Sequence, residues 1–103
     1  MQRTLARLQE WFALHCNGDW EHSCGVTINT LDNPGWSVRV ALRDTELENV
    51  PFEPVRIDYD HPLNWVTCFV KDDQFHGACG RKHLEKVLEV FLEWADKHKP
   101  PTA

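Results

Sequence analysis

A chain of 103 residues, 42% hydrophobic and 26% charged, is one domain's worth of sequence and buries a modest core, roughly 60% of its unfolded surface. Its net charge of −5 argues against nucleic acid or an anionic membrane as the main partner, since both demand basic patches, and is compatible with a basic protein. No run approaches the roughly 20 apolar residues that cross a bilayer. The stretch from Met1 to Arg7 is polar and unlike a signal peptide, so the expectation is a soluble, cytoplasmic domain over 1–103 with its four cysteines reduced.

Leu5, Leu8, Trp11, Phe12 and His15 follow helical spacing and predict an amphipathic helix from Leu5 to His15. Asn17-Gly18 ends it, because glycine tolerates the left-handed conformation that stops a helix. A polar loop, Asp19 to Ser23, leads into a strand over Val26–Leu31 and a second over Trp36–Leu42. Between them lies Asp32-Asn33-Pro34-Gly35, where proline fixes φ and glycine supplies a positive φ after it. This is the strongest local signal in the chain, a β-hairpin.

Arg43 to Pro54 is acidic, contains two prolines and reads as a loop. Val55, Ile57 and Tyr59 alternate with polar residues in a third strand, which His61-Pro62 breaks. A fourth strand runs from about Trp65 to Lys71. Its inward face is open between Trp65/Thr67/Phe69 and Val66/Cys68/Val70. Asp72-Asp73 turns it into a short fifth strand near Gln74–Ala78. A long helix from about Lys82 to His98 carries the stripe Leu84, Val87, Leu88, Phe91, Trp94, Ala95, and Pro100-Pro101 stops it. The expected fold is α+β: an antiparallel meander of four or five strands with both helices on one face of the sheet.

Candidate chemistry is sparse. The nearest approach to metal-ligand spacing, His76-x2-Cys79-x3-His83, lacks the tight pair at each end that a zinc site uses, and neither CxxC nor HExxH is present. His15 and Cys16 are sequence neighbours, but adjacent helical residues point in different directions. No cofactor is expected. A small metal- or thiol-dependent enzyme using Cys and His residues stands as the competing reading.

Features suited to contact are more prominent. Trp20 sits in the polar stretch Gly18-Asp19-Trp20-Glu21-His22, either as a contact hot spot or as an anchor that pins the loop. Asp44, Glu46, Glu48 and Glu53 crowd one loop, with Asp58 and Asp60 following. That acidity is read as a surface that steers a basic partner. Glu85, Glu89 and Glu93 recur every four residues on the last helix and read as a solvated face. Asp19, Trp20, Glu21, Asp44, Glu46, Glu48, Glu53 and Asp58 are thus the candidate contact residues. Asp32, Asn33, Pro34 and Gly35 are the structural turn. Asp19 and Asp32 are also candidates to cap or close a turn through side-chain bonds to backbone N–H groups.

The blocks Cys16-Asn17-Gly18-Asp19-Trp20-Glu21-His22, Gly25 and Thr30-Leu31-Asp32-Asn33-Pro34-Gly35-Trp36 resemble the immunity protein 53 family of bacterial polymorphic toxin systems. The likeness extends to Leu8-Gln9-Glu10-Trp11, Phe75-x-Gly77 and Leu84…Phe91…Trp94, almost the whole chain. Cys79 stands where a small residue such as glycine would be expected, and Tyr59–Leu63 looks like a local insertion. The resemblance implies a non-enzymatic binder that neutralises a cognate toxin domain, often a nuclease, inside the producing cell.

Overall fold

The computed structural model describes residues 4–32, 34–58 and 62–98. The element order is α1 (Thr4–His15), α2 (Trp20–Ser23), β1 (Val26–Leu31), β2 (Gly35–Ala41), β3 (Val55–Asp58), β4 (Trp65–Lys71), β5 (Gln74–Cys79) and α3 (Leu84–Lys97). Five antiparallel strands form one sheet, and no described helix is long and apolar enough to cross a membrane. Tyr59 and Asp60 of the predicted third strand, His61, and the Pro100-Pro101 stop lie outside the described residues.

The strand order is β1-β2-β5-β4-β3, which departs from a simple meander. The β1–β2 hairpin and the β3–β4–β5 meander are separate pieces, joined by antiparallel pairing of β2 with β5. The segment 42–54 therefore carries the chain from β2 to the far edge of the sheet. Central strands need apolar side chains where the helices cover them. Phe75 and Cys79 share the inward face of β5 with Gly77 and are fully buried, whereas β3 is only half-buried in alternate positions.

The register settles the parity of β4. Val66, Cys68 and Val70 lie beside Cys79, Gly77 and Phe75 and share their inward face. Trp65, Thr67 and Phe69 point the other way, and Phe69 stacks on His76 at 5.0 Å between ring centroids. α3 lies on β4 and β5, and α1 packs against α3. A side-chain carbon added to Gly77 would collide with Val87 Cγ1, so this glycine sets how closely α3 seats on the sheet.

The turns follow local chemistry with one correction. Gly18 has φ +96°, as a helix stop requires. Asp72 and Asp73 have φ of 55° and 61° in a two-residue hairpin loop, the type I′ pattern that matches strand twist. Gly35 does not take the positive φ expected of it. It is needed instead for closeness, because a Cβ there would strike the carbonyl oxygen of Cys79. Asp32 and Pro34 occupy the turn that closes on the Leu31–Gly35 pair, and Asn33 lies outside the described residues.

Candidate functional site

The acidic segment between β2 and β3 is held by tryptophan side chains. Leu47 inserts into the core with no exposed surface, and Phe52 packs edge-on against Phe75 and Trp94. A buried indole needs a partner for its N–H, and three of them find it here. Trp20 Nε1 donates to the carbonyl of Arg43 at 3.0 Å, Trp11 Nε1 to Glu46 Oε2 at 3.0 Å, and Trp94 Nε1 to the carbonyl of Pro51 at 3.1 Å. Within the segment, Thr45 Oγ1 donates to the carbonyl of Leu42 and accepts from the N–H of Leu47. Asp44 and Asn49 both hold φ of 64°, a left-handed conformation that Asp and Asn tolerate better than other side chains.

Upstream, Asp19 to Ser23 is not merely a loop, since Trp20–Ser23 forms the short helix α2. Asn17 Oδ1 accepts from the N–H groups of Asp19 and Trp20, while the Glu21 carboxylate accepts from those of Asn17 and Gly18. Capping falls to Asn17, and Asp19 makes no capping bond. The backbone N–H groups of Glu21 itself and of Asn17, with that of Gly18 and the nearby His22, hold the Glu21 carboxyl below its ordinary pKa. Of the two readings open for Trp20, the geometry is that of the anchor: the residue is 3% exposed.

The candidate contact residues therefore divide. Trp20, Glu21, Glu46 and Glu48 are engaged internally, the last accepting from the Asp44 N–H at 3.3 Å. Asp19, Asp44, Glu53 and Asp58 are exposed, and Asp58 pairs with Arg56 at 3.2 Å. Asp58 lies on β3 at the far edge of the sheet, on the face away from the helices.

Sequence reasoning missed a cleft between α1, α3 and the acidic crossover. Arg7, Glu10, Trp11, Leu14, His15, Glu46, Leu92, Ala95 and Asp96 line a space of about 450 Å³. Trp11, Leu92 and Ala95 make an apolar floor, and Glu10, Glu46 and Asp96 supply carboxylates. Arg7 bonds Asp96 at 2.6 Å across it. Leu14 stands on the rim with 81% of its surface exposed, the highest value among the exposed large apolar residues. An apolar floor ringed by carboxylates suits the stem and head of a lysine or arginine. The readable signal was Leu14, an apolar residue off the buried stripe of α1.

Nucleophile and metal chemistry finds little support in the geometry. On β5, His76 and Cys79 project from opposite faces. No three His, Cys, Asp or Glu side chains converge as metal ligands among the described residues. Burial pushes the Cys68 thiol up to about 12 and raises that of Cys79. Cys16 is raised too, by desolvation and by the Glu21 charge, and its thiol bonds the carbonyl of Phe12. A nucleophilic cysteine needs the opposite shift.

Residues 5–96 match the family model described as Immunity protein 53. The chain belongs to the immunity protein 53 family. No curated protein and no solved structure matches it significantly. Within an immunity protein 53 domain, the blocks that carried the resemblance are largely architectural: Asn17, Trp20 and Glu21 build the α2 turn, and Gly35 lets β2 approach Cys79.

Proposed function

We propose that this immunity protein binds and neutralises a cognate toxin domain in the cytoplasm of the bacterium that makes it, as the antidote of a polymorphic toxin system. The observation that supports the site is the acidic crossover, tied down by three indoles beside a carboxylate-rimmed cleft. A surface ordered before it meets its partner loses less entropy on binding, which favours affinity. Exposed carboxylates at Asp19, Asp44, Glu53 and Glu10 attract a basic partner and speed encounter. A nuclease domain is such a partner, since nucleic-acid enzymes carry basic surfaces. A lysine or arginine of the toxin enters the cleft, with its stem over Trp11 and Leu92 and its head among Glu10, Glu46 and Asp96.

The test is co-expression with the toxin domain encoded beside the gene. A one-to-one complex and survival of the producing cell are expected. Failure to bind that domain, or killing undiminished by the antidote, would remove the reading.

A further inference from the structure

The two edges of the sheet are treated differently. Among the described residues β3 spans four, carries Arg56 and Asp58, and follows Glu53-Pro54. Shortness, charge and proline are the devices that stop an edge from pairing with another chain. β1 has none of them. It is six residues long, Val-Thr-Ile-Asn-Thr-Leu, with no charge and no proline. Thr27, Ile28, Asn29 and Thr30 are all exposed, so both faces of the strand as well as its rim meet solvent.

The hydrogen-bond phase shows what that rim offers. Ala41 N–H donates to the carbonyl of Gly25 at 3.0 Å. Alternation then aims the backbone groups of Thr27 and Asn29 at β2, and those of Val26, Ile28 and Thr30 outward.

We propose that the outer edge of β1 pairs antiparallel with β1 of a second copy, on a two-fold axis at Ile28, making a ten-stranded sheet. In that register Ile28 meets Ile28, Val26 meets Thr30, and Thr27 meets Asn29 of the other copy. The outward backbone groups of Val26, Ile28 and Thr30 are satisfied reciprocally, as an isologous interface requires. Ile28, 37% exposed in one copy, is covered by its counterpart. The nearest charge along the strand, Asp32, falls opposite Cys24 and not opposite itself, so no like charges meet directly across the pair. A foreign strand would need none of this two-fold match. The inference does not depend on the toxin reading, since it rests on the β1 edge alone.

One strand pair covers less than the roughly 1,000 Å² of a durable interface, so the dimer is concentration-dependent. Sedimentation of the full chain should show a weight-average mass rising from 12.0 kDa towards twice that value as concentration increases. Ile28→Lys, which sets two charges on the axis at a solvent-exposed position, should hold the mass at 12.0 kDa with an unchanged circular dichroism spectrum. Ile28→Cys in a Cys16→Ser background should yield a 28–28 disulfide on mild oxidation, because hydrogen-bonded antiparallel partners lie about 5.5 Å apart at Cα.

A wild-type chain that stays monomeric at every concentration overturns the proposal. So does an Ile28→Lys chain that dimerises as well as wild type, or a dimer that never forms the 28–28 link. A monomeric wild type whose Ile28→Lys form binds the toxin more weakly assigns the edge to the toxin, and also overturns it. Neutralisation by Ile28→Lys is expected to be intact, so its result separates this inference from the toxin reading.

Discussion

His15 is bonded at both ring nitrogens: Nδ1 lies 2.7 Å from the carbonyl of Trp11, and Nε2 lies 2.6 Å from Glu46 Oε1. The imidazole therefore bridges the α1 backbone and the crossover carboxylate through its two nitrogens. The other Glu46 oxygen takes the Trp11 indole N–H, and the Trp11 and His15 rings lie 4.2 Å apart. One carboxylate thus joins helix α1 to the crossover at two points.

Removing that carboxylate should unfasten the crossover. Glu46→Ala leaves an indole N–H and an imidazole without their partner, and denaturant melts should show a loss of about 2–4 kcal/mol. Glu46→Gln should cost under about 1 kcal/mol, because its amide oxygen still accepts from Trp11 and its amide group still reaches the His15 ring. Equal losses for both variants would mean that the charge, not the hydrogen bonding, holds the joint.

Seating of α3 should respond to a single carbon. Gly77→Ala should destabilise the fold by about 1–3 kcal/mol, the usual range for overpacking. Combined with Val87→Ala, the loss should fall short of the two single losses added together, as expected for groups in contact. Additive losses would place the strain somewhere other than the Gly77–Val87 contact.

The buried thiols make the fold sensitive to alkali. The Cys68 pKa lies above its unfolded value of 9.0, at about 12, so between those values the unfolded chain releases a proton that the folded chain keeps. Stability is full below pH 9 and falls as pH rises towards 12, by up to about 1.4 kcal/mol per pH unit for one such thiol. Cys68→Ala should flatten that slope in melts taken across the window. With a thiol reagent at neutral pH, Cys68 and Cys79 should react only after unfolding.

Partner capture should depend on the exposed carboxylates. Glu10→Lys with Glu53→Lys should slow association with the toxin about tenfold at low salt, and the deficit should shrink at high salt as screening grows. Leu14→Asp should act mainly on dissociation. Neither change should shift the melting temperature by more than a degree or two, because none of these side chains is buried. Asp44→Asn is the safer neutralisation at that position, since φ is positive there.

Elements with a clear period were legible in the residues alone. The 3- and 4-spacing of α1 and α3, the hairpin around Asp32–Gly35, and the Asp72-Asp73 turn all reflect local physics, and local physics is written in neighbouring residues. The strand order was not, because pairing of β2 with β5 joins residues some 40 positions apart and leaves no local trace. α2 was missed because Asn17 and Glu21 act across a turn too short to show a period. Half of the contact candidates proved to be fastenings for a related reason. Acidity in a sequence looks the same whether a carboxylate faces water, like Glu53, or an indole, like Glu46.

The strand that occupies the middle of the sheet is the last one synthesised. Until residues 74–79 have emerged, β2 and β4 lack the neighbour that each requires, and the nascent chain holds two unjoined pieces with their apolar faces open. Completion is therefore a closing step, in which β5 enters between β2 and β4 and α3, next in the chain, covers it. Because that step joins distant parts of the chain, its loop-closure entropy is expected to set the pace of folding. Residues near the β2–β5 seam, such as Val38 and Phe75, should then govern how fast the antidote becomes available after translation.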